Sequence, residues 1–261
     1  MALQNKKSLG QNWLKDPEVL ERIVDLAELT DEDTVLEIGP GLGTLTSRLL
    51  GRAGSVVAVE FDKDLARKLP GQFPGKNLTV VTGDVLSFDL GSLPSGYKVV
   101  ANIPYYITSK IIRLLMEAEN KPGLAVLLTQ KEVAERLAAQ PGDMSVLGIS
   151  AQVSAEVTLG PVVPAELFTP PPQVDSQVVV LKTRQTPLLH ADDEKIFYQL
   201  VKYGFSSKRK KLRSSLAGGM RIAKDDVVRL LRRAEIDENS RAEDLSIDDW
   251  KRLMQVIHDR V

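Results

Sequence analysis

A chain of 261 residues, 43% hydrophobic and 26% charged, has the make-up of a folded globular protein, long enough for one large domain and a small second one. The absence of cysteine excludes disulfides and cysteine metal sites. His190 and His258 form no cluster, so no metal is expected; Leu124 to Leu128, the longest strongly apolar run, cannot span a bilayer, so a cytoplasmic protein without a membrane partner is expected. The net charge of −1 hides an asymmetry: residues 1–184 carry 18 Lys and Arg against 22 Asp and Glu, residues 185–261 carry 16 against 13, and a polyanion would meet the second part first.

Residues 4–14 have neither helical nor strand periodicity and read as an extended arm. Asp16-Pro17 then starts a helix, with Asp16 as cap, Pro17 in the first helical position and an apolar face of Val19, Leu20, Ile23, Val24 and Ala27. Anchored at that end, the arm either folds over a neighbouring site or stays a loose terminus. Thr34 to Ile38 is the first strand. Gly39-Pro40-Gly41-Leu42-Gly43 turns it into a helix over Thr44 to Leu50, where glycines let a ligand approach the backbone and the helix start offers free N–H groups. The dinucleotide pattern G-x-G-x-x-G fails at Thr44; G-x-G-x-G after an acidic residue is instead the pattern of methyl-donor sites.

Ser55 to Val59 forms a second strand ended by Glu60, whose carboxylate either accepts from a ribose diol or is a solvated cap. Leu78 to Val81 forms a third, followed by Gly83-Asp84-Val85, and Asp84 is placed to accept from an adenine amino group. Three glycine-rich or acidic strand ends in succession describe a cradle for an adenosine without phosphates. A fourth strand, Tyr97 to Ala101, runs into Asn102-Ile103-Pro104-Tyr105 ahead of a helix starting near Thr108. The tetrapeptide is either a plain strand-to-helix turn or a base-holding device. In the second case Asn102 accepts from an exocyclic amine, Pro104 fixes the backbone and Tyr105 stacks on the base.

Gly123 to Thr129 suits a buried strand, Lys131 to Ala139 and Ser145 to Val153 read as helices, and Glu156 to Leu159 with Ser176 to Lys182 reads as a closing antiparallel pair. The proline-rich loop from Val163 to Pro172 presents Phe168, either as a second ring facing Tyr105 or tucked into the core. Beyond residue 185 the pattern is helical: Glu194 to Tyr203, Asp225 to Arg233, and Ser246 to Asp259 with a Ser246…Asp249 capping box. Between them Lys208, Arg209, Lys210, Lys211 and Arg213 make five cations within eight residues, a solvated face or a phosphate-contact surface.

In order along the chain, Leu9 to Leu14, Glu37 to Gly43, Val59-Glu60, Gly83-Asp84, Asn102 to Tyr105, Phe168 to Ser176 and Phe205 to Leu216 resemble the ribosomal RNA adenine N6,N6-dimethyltransferases of the bacterial KsgA type. The resemblance spans nearly the whole chain. It implies an α/β, Rossmann-like class I S-adenosylmethionine-dependent methyltransferase sheet over residues 1–184, with the arm, and a small all-helical RNA-binding domain over 185–261. It also implies that Asn12, Leu14, Gly39, Glu60, Asp84 and Asn102 contact S-adenosylmethionine, and that Asn102, Pro104 and Tyr105 carry the chemistry. Tyr105, Phe168, Lys208, Arg209, Lys210, Lys211 and Arg213 are then expected to meet the RNA, namely 16S ribosomal RNA in an immature small subunit, with the enzyme a monomer.

Two residues depart from the family pattern: Trp13 where phenylalanine is usual and Tyr106 where asparagine is common. Rival readings are the antibiotic-resistance dimethyltransferases of 23S ribosomal RNA and an assembly factor that works mainly by binding. Thr44 disfavours a nicotinamide oxidoreductase.

Overall fold

The computed structural model describes residues 11–207 and 209–258. Its first elements are β1 (Trp13–Leu14), α1 (Pro17–Asp25), β2 (Thr34–Ile38), α2 (Thr44–Leu49), β3 (Ser55–Glu60), α3 (Lys63–Lys68) and β4 (Leu78–Thr82). There follow β5 (Lys98–Asn102), α4 (Thr108–Glu117), β6 (Leu124–Gln130), α5 (Lys131–Leu137), α6 (Val146–Ser154), β7 (Ala155–Val163), β8 (Phe168–Thr169) and β9 (Ser176–Thr183). Four helices complete it: α7 (Ala191–Gly204), α8 (Leu212–Met220), α9 (Lys224–Arg233) and α10 (Ile247–His258).

The chain divides into two compact units, one reaching Glu135 and taking in Ala155–Arg184, the other made of Arg136–Ser154 and the residues from Gln185 onward. The expected boundary after residue 184 is therefore joined by a second exchange: 136–154, assigned from sequence to the first domain, belongs to the helical unit. The cause is apolar. Met144, Ile149 and Val153 pack into the core built on Phe197, Leu216, Leu230 and the fully buried Trp250.

In the first unit seven strands run in the order β4-β3-β2-β5-β6-β9-β7. The first five are mutually parallel, while β9 is antiparallel to both β6 and β7. Buried on both faces, β5 and β6 read as apolar runs through their centres, as parallel strands do, and β2 does so but for the buried Glu37. Strand order reverses between β2 and β5, and ligands of open α/β sheets bind at the carboxyl ends of strands at such a switch point. β7 is longer than its sequence suggested and contains an irregularity between Leu159 and Val162.

Local chemistry accounts for the helix starts. Asp16 Oδ1 accepts from the Val19 N–H at 2.9 Å with Pro17 at the first position, and Ser246 and Asp249 form the reciprocal box, with N–H bonds of 2.8 and 3.1 Å. Helices α3 and α8 escaped the sequence reading. α3 is six residues long, too short for its periodicity to register, and the basic run masked the start of α8.

Candidate active site

A cavity of about 370 Å³ opens at the carboxyl ends of β2, β3 and β5, lined by Asn12, Leu14, Gly39, Glu60, Asp84, Asn102, Pro104 and Tyr105 among others. All of the first unit's sequence-predicted site residues except Phe168 thus border one space. Each is positioned by a strand end, a turn or the arm.

The glycine turn forms one wall. Gly41 has φ +58°, and a Cβ there would stand 3.3 Å from the Trp13 ring, so the arm's indole lies directly against the turn. At Gly43, φ is +81° and a Cβ would fall 2.9 Å from Leu69 Cδ1 and 3.1 Å from the Phe73 ring. Glu60, 6% exposed at the end of β3, ties this turn to its own strand: Oε2 accepts from the Gly41 N–H at 3.0 Å and Oε1 from the Asp62 N–H at 2.8 Å. Burial raises the Glu60 carboxyl above its ordinary value, with those two N–H groups pulling the other way.

Beneath the turn Glu37, 1% exposed, has its carboxyl pushed up to about 8, first by burial and then by the charge of Glu60, with Thr46 opposing. Neither Glu37 Oε2 nor the Thr46 hydroxyl has a hydrogen-bond partner of normal geometry. Asp84 is exposed, and its Oδ1 accepts from the Leu86 N–H at 2.9 Å.

Residues 4–10 of the arm lie outside the described residues; its described end, residues 11–14, is fixed by backbone. β1 pairs antiparallel with β8, placing Leu14 opposite Phe168, and the Thr44 hydroxyl donates to the Leu14 carbonyl at 3.0 Å. The Asn102 Nδ2 donates to the Asn12 carbonyl at 3.1 Å. One amide end is therefore committed to the arm, and the carbonyl oxygen is left to accept. Next to it, the Pro104 carbonyl accepts from the Ile107 N–H at 3.2 Å and the Thr108 hydroxyl at 3.3 Å, whereas the Ile103 carbonyl accepts nothing among the described residues. Tyr105 is half-buried; its hydroxyl bonds the Ser176 hydroxyl at 2.6 Å, and burial raises its pKa while Ser176 lowers it. Ser176 is fully buried on β9, so the ring is held from the sheet.

Phe168 corrects the expectation of a second ring facing Tyr105. It is 2% exposed and packs in the sheet's core, serving the arm through β8 instead of lining the cavity. The exposed rings at the cavity are Phe61, 58% exposed, and Tyr106, 61% exposed. Phe61 was missed from sequence. The signal was a large apolar residue directly after a strand-terminal acid, where the chain leaves the sheet and burial ends.

Of the basic run, Arg209 to Lys211 lie in the helical unit between α7 and α8, and Arg213 in the first turn of α8. Lys208 lies outside the described residues. Arg209 and Lys210 are exposed, while the Lys211 ammonium donates to Asn239 Oδ1 at 2.5 Å and the Arg213 guanidinium is 3.4 Å from Glu238 Oε1. Among the described residues no group of three His, Asp or Glu could hold a metal ion, and no helix is long and apolar enough to cross a membrane.

A parallel sheet with an antiparallel edge, a glycine turn after β2, a buried acid ending β3 and an asparagine fixed at the end of β5 define a class I S-adenosylmethionine-dependent methyltransferase. The sequence model of the ribosomal RNA adenine dimethylase family matches residues 2–259, and the chain belongs to that family; it is an S-adenosylmethionine-dependent ribosomal RNA methyltransferase.

Among its relatives, ribosomal RNA small subunit methyltransferase A of Dehalococcoides mccartyi strain 195 is 43% identical over 98% of this chain and 89% of the relative. The protein of that name from Bacillus pumilus is 42% identical over 97% and 91%. Among solved structures, a dimethyladenosine transferase from Plasmodium falciparum aligns with TM-score 0.81 and 29% identity, covering 95% of this chain and 98% of that one. The 23S ribosomal RNA methyltransferase ErmE aligns with TM-score 0.77 and 30% identity, covering 95% and 100%.

Proposed function

We propose that this chain transfers methyl groups from S-adenosylmethionine to N6 of two adjacent adenosines in a hairpin loop near the 3′ end of 16S ribosomal RNA, giving N6,N6-dimethyladenosine. It would act as a cytoplasmic monomer on an immature small subunit. The curated relatives favour this address over 23S RNA, since those quoted carry the small-subunit name.

The observation that carries the reading is the Asn102 amide. With Nδ2 held by the Asn12 carbonyl, Oδ1 is presented as an acceptor of fixed orientation, and the Ile103 carbonyl, which accepts nothing among the described residues, supplies a second acceptor one residue on. Two acceptors at a strand end match the two hydrogens of an adenine amino group.

The residues present fit the cofactor. Gly39 borders the cavity with nothing within 4 Å of a Cβ position, Glu60 is fixed with lone pairs left for a ribose diol, and Asp84 keeps one carboxylate oxygen for an adenine amine. When bound, S-adenosylmethionine supplies an activated methyl on sulfur, so no metal or strong base is required of the protein. The chain's own task is alignment. Asn102 Oδ1 and the Ile103 carbonyl draw the N6 hydrogens into place, making the nitrogen lone pair available as it becomes tetrahedral. Pro104 fixes the turn, and Tyr105, held by Ser176, flanks the extruded base. The proton lost from N6 passes to water.

Mass spectrometry of ribosomal RNA fragments tests the reading, after purified protein and labelled cofactor are incubated with subunits from cells lacking the modification. Dimethyladenosine in a 16S fragment is expected with wild type and is lost in Asn102→Ala, which retains RNA binding. Label in 23S fragments alone would move the enzyme to the large subunit, and undiminished transfer by Asn102→Ala would remove that residue from the chemistry.

A further inference from the structure

An adenosine that enters the cavity stays bonded to both neighbours, so its strand has to leave over the rim. On the rim beside Tyr105 stands Tyr106, a residue 61% exposed although it borders the cavity. An aromatic ring left in water at the mouth of a base-sized space gains nothing for folding. It is a ready platform for a flat partner.

Lys110 borders the same cavity and also an open groove of about 520 Å³ running along α4, where Leu86, Ser109, Arg113 and Leu114 line it. Lys110 and Arg113 lie one turn apart on the exposed stripe of α4, the opposite stripe being buried through Ile111, Ile112, Leu115 and Met116. Lys110 has no ionic partner among the described residues. Arg113 faces Glu117 at 3.4 Å, with both side chains more than half exposed, a pairing readily exchanged for a phosphate. A ring at the mouth followed by two cations along one helix face has the form of a single-strand track: a stacking platform, then backbone contacts.

We infer that the base next to the acceptor adenosine stacks on Tyr106 while the phosphates of that strand lie on Lys110 and Arg113. Tyr106, Lys110 and Arg113 are then substrate-positioning residues of this active site. The inference rests on the reading above that the cavity receives an adenosine of an RNA strand.

The test uses full-length protein and small subunits from cells lacking the modification, with single-turnover methyl transfer followed against subunit concentration. Cofactor binding is measured by calorimetry and folding by melting. Tyr106→Ala is expected to raise the half-saturating subunit concentration about tenfold, leaving the maximal rate and the cofactor affinity within twofold, and Tyr106→Phe to restore it. Lys110→Ala and Arg113→Ala should each reduce the slope of log affinity against log salt by about 0.7 to 1.

An unchanged half-saturating concentration in Tyr106→Ala, failure of Tyr106→Phe to restore it, or an unaltered salt slope in the Lys110→Ala/Arg113→Ala double variant overturns the inference alone, provided wild type turns over. Wild-type protein that binds cofactor yet transfers no methyl to the subunits overturns the functional reading and this one with it.

Discussion

Glu37 is a buried carboxyl whose pKa in the folded chain is about 8 against an ordinary 4.5. Between those values the folded form keeps a proton that the unfolded chain has released. Stability from this group is therefore greatest below about pH 4.5 and declines as pH rises to about 8. Glu37→Gln keeps the shape without the ionisation. Urea unfolding at several pH values should show the variant gaining on wild type by a few kcal/mol from pH 5 to pH 8.5, Glu60 being common to both. A difference independent of pH would mean that Glu37 titrates normally.

At the same scale, the Ser176–Tyr105 bond predicts coupled effects. Tyr105→Phe and Ser176→Ala should each slow methyl transfer about three- to tenfold, and the double variant should be no slower than Tyr105→Phe alone. Additive losses would mean that Ser176 acts on something other than the ring.

At the scale of elements, the arm and the glycine turn form one unit, and their legibility differed for a physical reason. A glycine turn after a strand is local: positive φ at Gly41 and Gly43 leaves its mark in neighbouring residues, so the motif was readable. The pairing of β1 with β8 joins two-residue segments more than 150 positions apart, and no periodicity survives in two residues. Phe168 accordingly read as a loop ring, whereas it sits buried under the arm, opposite Leu14. Phe168→Ala should cost about 3–5 kcal/mol of stability and weaken cofactor binding, because the arm that holds the Asn102 amide loses its seat. Melting and calorimetry on one preparation would check both; unaltered cofactor affinity in a destabilised variant would separate the arm from the site. Gly43→Ala, with its Cβ driven against Leu69 and Phe73, should cost about 1–3 kcal/mol.

At the scale of the whole molecule, the fold class and the cavity's place were readable, because parallel strands buried on both faces are largely apolar runs and their ends carry the chemistry, whereas the order of the strands in the sheet was not read. The membership of 136–154 was not, since an apolar helix does not announce which core it joins. Charge is indifferent to that exchange: with 136–154 moved, the helical unit carries 17 Lys and Arg against 14 Asp and Glu, and the sheet unit 17 against 21.

What the structure alters is how many of the clustered cations are available to a polyanion. Lys211 and Arg213 already serve Asn239 and Glu238, so removing them should act on folding first. Arg209 and Lys210 are exposed with no such bond among the described residues, so the double variant Arg209→Ala/Lys210→Ala should leave melting unchanged while weakening subunit binding. Two lost phosphate contacts correspond to a reduction of about 1.4 to 2 in the slope of log affinity against log salt. A slope equal to that of wild type would make this turn a solvated face, and a larger reduction in Lys211→Ala/Arg213→Ala would show that their internal partners yield to RNA.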